Sequence, residues 1–332
     1  METTKLFTKL QQDSIDLLNH THLIHKFSSE EQKKLSNRIK LSASLKTIEL
    51  KDVRLNKYML NVLMNDLPYN GSIKTLSLNN IPNLQAATTA LKEILQFNTS
   101  IEELEISNIV DGDHIFRSIA PYLFTENKIR HLVVKNISLQ SPSLELMSKL
   151  IAENKIITTL DISNQNLSGH AMVAVLKSLE TNISIKALNL SNTNLTRENL
   201  TALGQSLEKN ETLKVLDISR NKLFSADLVG LIPRLKKLEE VNLSGNLIDR
   251  YFAADLARTL DRETQLRVLG LADNRLGDLG AIMLARYLKN TSSIVELDIS
   301  NNHLEKIGDF LVKEALNLND IRSCEQKIKL TL

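Results

Sequence analysis

The chain has 332 residues, 42% of them apolar, 24% charged and 4% aromatic, with no Trp and a single Cys. Its 41 Lys and Arg against 39 Asp and Glu leave a formal charge of +2, too weak a field to grip a nucleic-acid backbone or an anionic membrane. One Cys excludes a disulfide framework and a Cys-rich zinc site, the opening METTKLFTKLQQDSIDLLNH lacks an apolar signal core, and no run approaches the roughly 18 apolar residues of a membrane span, so a cytoplasmic, monomeric chain is expected.

Residues 1–44 place Ile15, Leu18, Leu35 and Ile39 at helical spacing without a strand motif, which predicts an N-terminal helical cap. From Leu45 onward a pattern of apolar-x-x-apolar-x-apolar takes over, restarting at Ile73, Ile101, Ile129, Ile157, Ile185, Leu213, Leu238, Leu266 and Ile294. The interval is 28 residues each time, except for 25 between Leu213 and Leu238. Apolar residues at positions 4 and 6 of every repeat have the period of a strand with one buried face. Later in the repeat the period lengthens, as in Gly280, Leu284 and Leu288, so each strand is followed by a helix. Asn recurs at position 26 (Asn70, Asn98, Asn154, Asn182, Asn210), where its tolerance of the left-handed conformation predicts a helix stop. The short seventh repeat carries Gly230 and Pro233 where others have helix, so a broken helix is expected there. Residues 317–332, ending IKLTL, are read as a C-terminal cap on the last repeat.

The segments LKVLDISRN (213–221), LEEVNLSGN (238–246), LRVLGLADN (266–274) and IVELDISNN (294–302) resemble the leucine-rich repeat. The 28-residue period with a full helix is similar to the ribonuclease-inhibitor subtype. The resemblance covers residues 45–316 and implies an α/β fold: a right-handed solenoid of ten repeats, an arc or horseshoe with a concave parallel sheet and convex helices. Strands about 4.8 Å apart against helices about 8–10 Å apart give a bend on the order of 20° per repeat. In the family, a buried Asn at position 9 bonds to the backbone of its own and the neighbouring turn. Here Asn221, Asn246, Asn274 and Asn302 match it, whereas Ile81, Ile109 and Ile137 predict turns sealed by apolar packing. Polar Asn83 and Asp111 at position 11 predict irregular loops at 79–83 and 108–114, where the chain resembles the tropomodulin variety.

The resemblance implies a non-enzymatic protein–protein interaction module working through its concave face. Composition leans toward the leucine-rich repeat effectors that intracellular bacteria deliver into host cells. Alternatives within the family are a GTPase-activating protein for a small GTPase and a tropomodulin-like actin capper. The outward positions of the strands alternate acidic and basic columns without aromatic anchors, so charge complementarity would carry recognition. Glu105, Arg130, His131, Val133, Lys135, Asp161 and Asp217 are the candidate contacts with a protein partner. Chemistry finds little support: no Gly precedes a Lys as in a phosphate-binding loop, and neither GxSxG nor HExxH occurs. His20, His22 and His25 lack a completing ligand, Cys324 lacks a patterned base, and Asp111, Asp113 and His114 read as turn chemistry, so no cofactor and no metal are expected. The Asn-x-Ser/Thr matches at Asn70, Asn98, Asn136, Asn182, Asn210 and Asn242 read as by-products of the repeat.

Overall fold

The structure, a computed structural model, describes residues 14–16, 30, 34, 37, 39–52, 60, 64–124, 128–259, 264–290, 293–305, 307, 308, 310–314 and 329–331. The chain divides into two compact units, Met1–Gln165 and Asn166–Leu332. Each is a stack of strand–helix repeats with all-parallel strands, a leucine-rich repeat solenoid.

In the first unit six strands pair in chain order: β1 (Ser14–Asp16), β2 (Thr47–Lys51), β3 (Thr75–Asn79), β4 (Glu103–Ser107), β5 (His131–Lys135) and β6 (Thr159–Asp161). Their register advances one whole repeat at a time, so Ile48, Leu76, Leu104, Leu132 and Leu160 form one buried row. Helices α1 (Thr88–Phe97), α2 (Gly112–Leu123) and α3 (Ser141–Glu153) close the core with Leu91 and Ile94, Phe116 and Ile119, and Met147 and Leu150. Each such side chain contributes about 1.5–3 kcal/mol by leaving water.

The second unit holds α4 (His170–Ser178), β7 (Ala187–Asn189), α5 (Arg197–Lys209), β8 (Val215–Asp217), α6 (Ser225–Leu228), β9 (Glu240–Asn242), α7 (Arg250–Thr259), β10 (Val268–Gly270), α8 (Gly277–Asn290), β11 (Glu296–Asp298) and β12 (Lys329–Thr331). The seventh repeat breaks as its Gly and Pro predict: α6 has one turn, and a 3-10 segment over Ile232–Lys237 follows with Pro233 in its first turn. The shortened element lets the α5 backbone approach, since a Cβ on Gly204 would lie 3.0 Å from the Gly230 carbonyl oxygen.

Each end adds a short strand to its unit. Residues 1–44 are not purely helical, because β1 pairs with Thr47–Glu49 and sets Ile15 opposite Ile48. At the other end β12 pairs with β11, with Leu330 opposite Leu297. Ile15 and Leu330 occupy position 4 of degenerate repeats whose position 1 is Gln12 or Lys327, and that polar first residue hides the pattern. Of the two predicted loops, 79–83 does lead into a 3-10 turn, Leu84–Ala87. The other is shorter than expected, because α2 already starts at Gly112. A Cβ at Gly112 would fall 2.3 Å from the Ile137 Cβ, so only glycine lets this helix start against the next turn.

Strand length tracks position 5 except in β10, where Gly270 stands there and the strand has three residues. In β2 to β5 that residue is Glu49, Ser77, Glu105 or Val133, and the strands run five residues. Where it is Asp or Asn, its side-chain oxygen accepts the N–H of position 7: Asp161 from Ser163 (2.9 Å), Asn189 from Ser191 (2.9 Å), Asp217 from Ser219 (2.8 Å), Asn242 from Ser244 (3.1 Å) and Asp298 from Ser300 (3.0 Å). This local bond competes with the ladder, and those strands stop after three residues.

Position 8 then turns the chain through the left-handed region in all ten repeats, from Asp52 (φ 55°) to Asn301 (φ 56°). Asn, Asp and Gly fill it nine times; Arg220 is the exception. With Ile or with an amide at position 9, the N–H of position 8 donates to the next strand, as Asn80 N does to Ser107 O (3.0 Å) and Arg220 N to Ser244 O (2.8 Å), and Ile81, Ile109 and Ile137 are buried as expected.

The asparagines at position 26 are not left-handed stops. Asn70, Asn98, Asn154 and Asn210 have φ between −79° and −75° with ψ between 121° and 133°, an extended backbone. They are buried, and their amides bridge repeats: Asn98 Nδ2 donates to Leu67 O (2.6 Å) and Asn70 O (2.9 Å), while its Oδ1 accepts from Ser100 N and Ile101 N. Asn210 does the same with Leu179 O, Asn182 O, Thr212 N and Leu213 N. At position 9 the expected ladder is present: Asn274 Nδ2 reaches Leu243 O and Leu271 O, and its Oδ1 accepts from Ile248 N. Gln165 extends this ladder to an earlier repeat, donating to Val134 O (2.8 Å) and Ile162 O (2.9 Å) and accepting from Leu139 N (3.2 Å).

Asn98→Ala and Asn274→Ala should each cost about 1–3 kcal/mol in urea unfolding, whereas Asn301→Gly, which keeps a residue suited to the left-handed backbone (φ 56°) on the exposed side of its turn, should cost under about 0.5 kcal/mol. Arg220→Asn should raise stability by about 0.4–1 kcal/mol, because the left-handed backbone then suits its residue. A neutral or harmful outcome at 220 in the same measurement would show that the Arg220 side chain, packed beside Gly245, compensates for its own strain.

Candidate protein-binding face

The outward residues of β4, β5 and β6 bring six of the seven sequence candidates together in the first unit. Register sets Glu105 beside Val133 and Val133 beside Asp161, with Glu103 next to His131 and Ser107 next to Lys135. Arg130 directly precedes β5 and is exposed, as is His131, whereas Val133 and Lys135 are half-buried. Asp217, the seventh, stands on β8 in the second unit.

Glu105 organises the centre of this face. One carboxylate oxygen accepts from the Ser77 hydroxyl (2.8 Å), and the other accepts from the Ser107 hydroxyl (2.7 Å) and pairs with Lys135 Nζ (3.3 Å). Burial alone would raise its pKa, but the two hydroxyls and the Lys135 charge outweigh burial and hold it below the ordinary glutamate value. Along the rim, Lys74 Nζ meets Glu102 at 2.5 Å, and that hydrogen bond and charge lower the Glu102 pKa as well. Thr75 Oγ1 donates to Glu103 (3.1 Å). Ser77, Thr75, Lys74 and Glu102 were not among the sequence candidates, because single residues were chosen without pairing neighbouring strands. The outward rows at positions 2, 3, 5 and 7 of adjacent strands, taken together, would have found them.

Several candidates therefore have structural duties. Asp161 and Asp217 each devote one oxygen to a turn N–H, and Asp217 Oδ2 also accepts from Asn242 Nδ2 (3.0 Å). Lys135 neutralises Glu105. By contrast, the Arg130 guanidinium and the His131 imidazole make no side-chain hydrogen bond or salt bridge with any described residue. With Val133 between them and the network, they form the part of this face whose polar groups are open to a partner.

Other sequence candidates resolve differently. Asp113 accepts from Gln140 N (2.8 Å) and Ser143 Oγ (2.5 Å) and pairs with Arg117, so it fastens α2 to the start of α3. Asn70, Asn98, Asn182 and Asn210 are buried with bonded amides and offer nothing to a glycan. His20, His22, His25 and Cys324 lie outside the described residues. Among the described residues no group of His, Cys, Asp and Glu could hold a metal ion, and no helix is long and apolar enough to cross a membrane.

No protein-family model matches the chain, and no curated protein matches it. Among solved structures, a chain of the yeast Rad7 and Elc1 complex is 15% identical over 83% of this chain and 74% of that one, with a TM-score of 0.47. An internalin (inlF) of Listeria monocytogenes is 16% identical over 92% and 95%, at 0.40, and a tropomodulin C-terminal domain of Caenorhabditis elegans is 17% identical over 46% and 93%, at 0.37. None of these likenesses bears on what this chain binds.

The depressed Glu105 pKa has a sign that can be checked. A carboxyl whose folded value lies below its unfolded value stabilises the fold above the unfolded value, and that contribution is lost as pH falls through the folded one. Unfolding free energy should therefore fall between about pH 5 and about pH 3, with a shallower slope in Glu105→Gln. Equal slopes would mean that Glu105 is not held ionised by its neighbours.

Proposed function

We propose that the chain is a non-enzymatic protein-binding module whose strand face in the first unit, centred on Arg130, His131 and Val133, meets a folded partner that presents carboxylates. The observation that carries this reading is a contrast across two neighbouring strands: Glu105 on β4 and Lys135 on β5 satisfy each other, while Arg130 and His131, five and four residues before Lys135, stay exposed and make no side-chain hydrogen bond or salt bridge with a described residue. A rigid, hydrogen-bonded sheet offers such groups at little ordering cost to a partner. With no aromatic anchor on these strands, electrostatic complementarity would supply specificity and association rate more than affinity. We place its action in a cytoplasm; the bacterial-effector reading rests on composition alone and adds no residue to the site.

Charge reversal must avoid Lys135, because Lys135→Glu would set a second carboxylate against half-buried Glu105 and destabilise the sheet. Arg130→Glu with His131→Glu should leave the thermal midpoint within about 2 °C, as exposed charges do. In paired affinity enrichments with this double variant and the unaltered chain as baits, partners retained by the unaltered chain should be lost. Identical partner profiles from the two baits would refute the assignment, as would catalytic turnover by the purified chain that depends on these residues.

A further inference from the structure

A different surface of the second unit has unspent chemistry. Position 14, in the first turn of each helix or just ahead of it, holds small or polar residues in six described repeats: Ala86, His114, Pro142, His170, Glu198 and Ala226. In the last three repeats it becomes Tyr251, Leu279 and Ile307, which are 59%, 52% and 64% exposed. Tyr251 and Leu279 flank a groove of about 530 Å³, within the range of about 300–1,000 Å³ usual for ligand sites.

Two arginines and three carboxylates line this groove. Each aspartate gives one oxygen to the protein: Asp249 Oδ1 accepts from Ser225 Oγ (2.6 Å) and Tyr251 N (3.0 Å), and Asp278 Oδ1 accepts from Glu305 N (2.8 Å). Arg250 lies over the Tyr251 ring at 5.1 Å and donates to its hydroxyl (3.3 Å), whereas Arg275, held by its own N–H to Ile248 O (2.7 Å), is exposed with no acidic partner among the described residues. Exposed His303 extends the row one repeat further. Glu305 is the one groove carboxylate whose side chain is not engaged with described backbone or hydroxyl groups.

We propose that this groove is a second docking surface, which takes an acidic peptide segment bearing bulky apolar side chains. The apolar side chains lie on Tyr251 and Leu279, and the flanking carboxylates pair with Arg275 and Arg250. Aromatic and Arg residues side by side on a backbone fixed by the repeat are the usual anchors of a peptide interface.

The test is selection of random dodecapeptides from a display library on the purified full chain, followed by solution affinities of the enriched peptides. Enriched sequences should pair Asp or Glu with Leu, Ile, Phe or Tyr. Arg275→Glu and Leu279→Ser should each weaken them at least about tenfold, and Arg130→Glu should leave them unchanged. Arg275→Gln, a milder change at an exposed site, serves as the second variant, and crosslinks from the bound peptide should fall in 249–251 and 275–279. The proposal is overturned if no peptide is enriched, if enriched peptides lack acidic residues, if they bind the 275 and 279 variants as well as the unaltered chain, or if the crosslinks lie elsewhere.

Discussion

Every repeat buries the backbone at both ends of its short strand, and those N–H and C=O groups must be paired where water does not reach. The chain meets this requirement with primary amides, because a side-chain amide offers donors and an acceptor at once and can serve two repeats together. At the helix-to-strand end, Asn98 bridges carbonyls of the preceding repeat to amides of its own. At the strand-to-turn end, Asn274 does the equivalent. The two solutions are distributed unevenly. Position 26 carries the amide at Asn70, Asn98, Asn154, Asn182 and Asn210, whereas position 9 carries it at Gln165, Asn221, Asn246, Asn274 and Asn302. With Ile or with an amide at position 9, the left-handed residue at position 8 donates its N–H to the next strand, as Asn80 does to Ser107 O and Asp273 to Ser300 O.

The same competition for backbone donors decides what the strands present. An Asp or Asn at position 5 takes the N–H of position 7 and cuts the strand to three residues, so its carboxylate is partly consumed before any partner arrives. In β2 to β5 no such side chain intervenes. The sheet there extends to position 7, which brings Lys135 level with Ser107 and within reach of Glu105. The Glu105 network depends on these five-residue strands; absence of the local bond does not by itself lengthen a strand, since β10, with Gly270 at position 5, has three residues.

The repeat, its strand-first order and the broken seventh helix were legible because apolar periodicity and Pro act locally and recur in phase, whereas the position 9 ladder was legible only through the family resemblance. The end strands were not, since Gln12 and Lys327 remove the first apolar mark while Ile15 and Leu330 keep the one that pairs. Asn at position 26 was misread because propensity alone suggests a left-handed stop, and only the neighbouring repeat reveals the carbonyls its amide serves. Asp161 and Asp217 were taken as free surface charge, although the recurring Asp-Ile-Ser and Asn-Leu-Ser triplets already hold the acceptor two residues ahead of its donor.

A charged solenoid face should therefore be judged by the charge left over once the backbone and neighbouring side chains have been served. On β4 to β6 that subtraction removes Glu105, Lys135 and one oxygen of Asp161, and it leaves Arg130 and His131. Arg130 and His131 then stand at the outer layer of the sheet beside a half-buried valine, with Glu102 and Glu103 alongside. Exposed ion pairs such as Lys74–Glu102 exchange freely with water and contribute little to stability, so they can be displaced by a partner at small cost. Glu105 cannot be displaced that way, because its hydroxyl donors and its lysine would all lose their acceptor together. The proposed reading of the face therefore rests on a fixed centre at Glu105 and on an edge at Arg130 and His131 whose side chains the rest of the sheet does not engage.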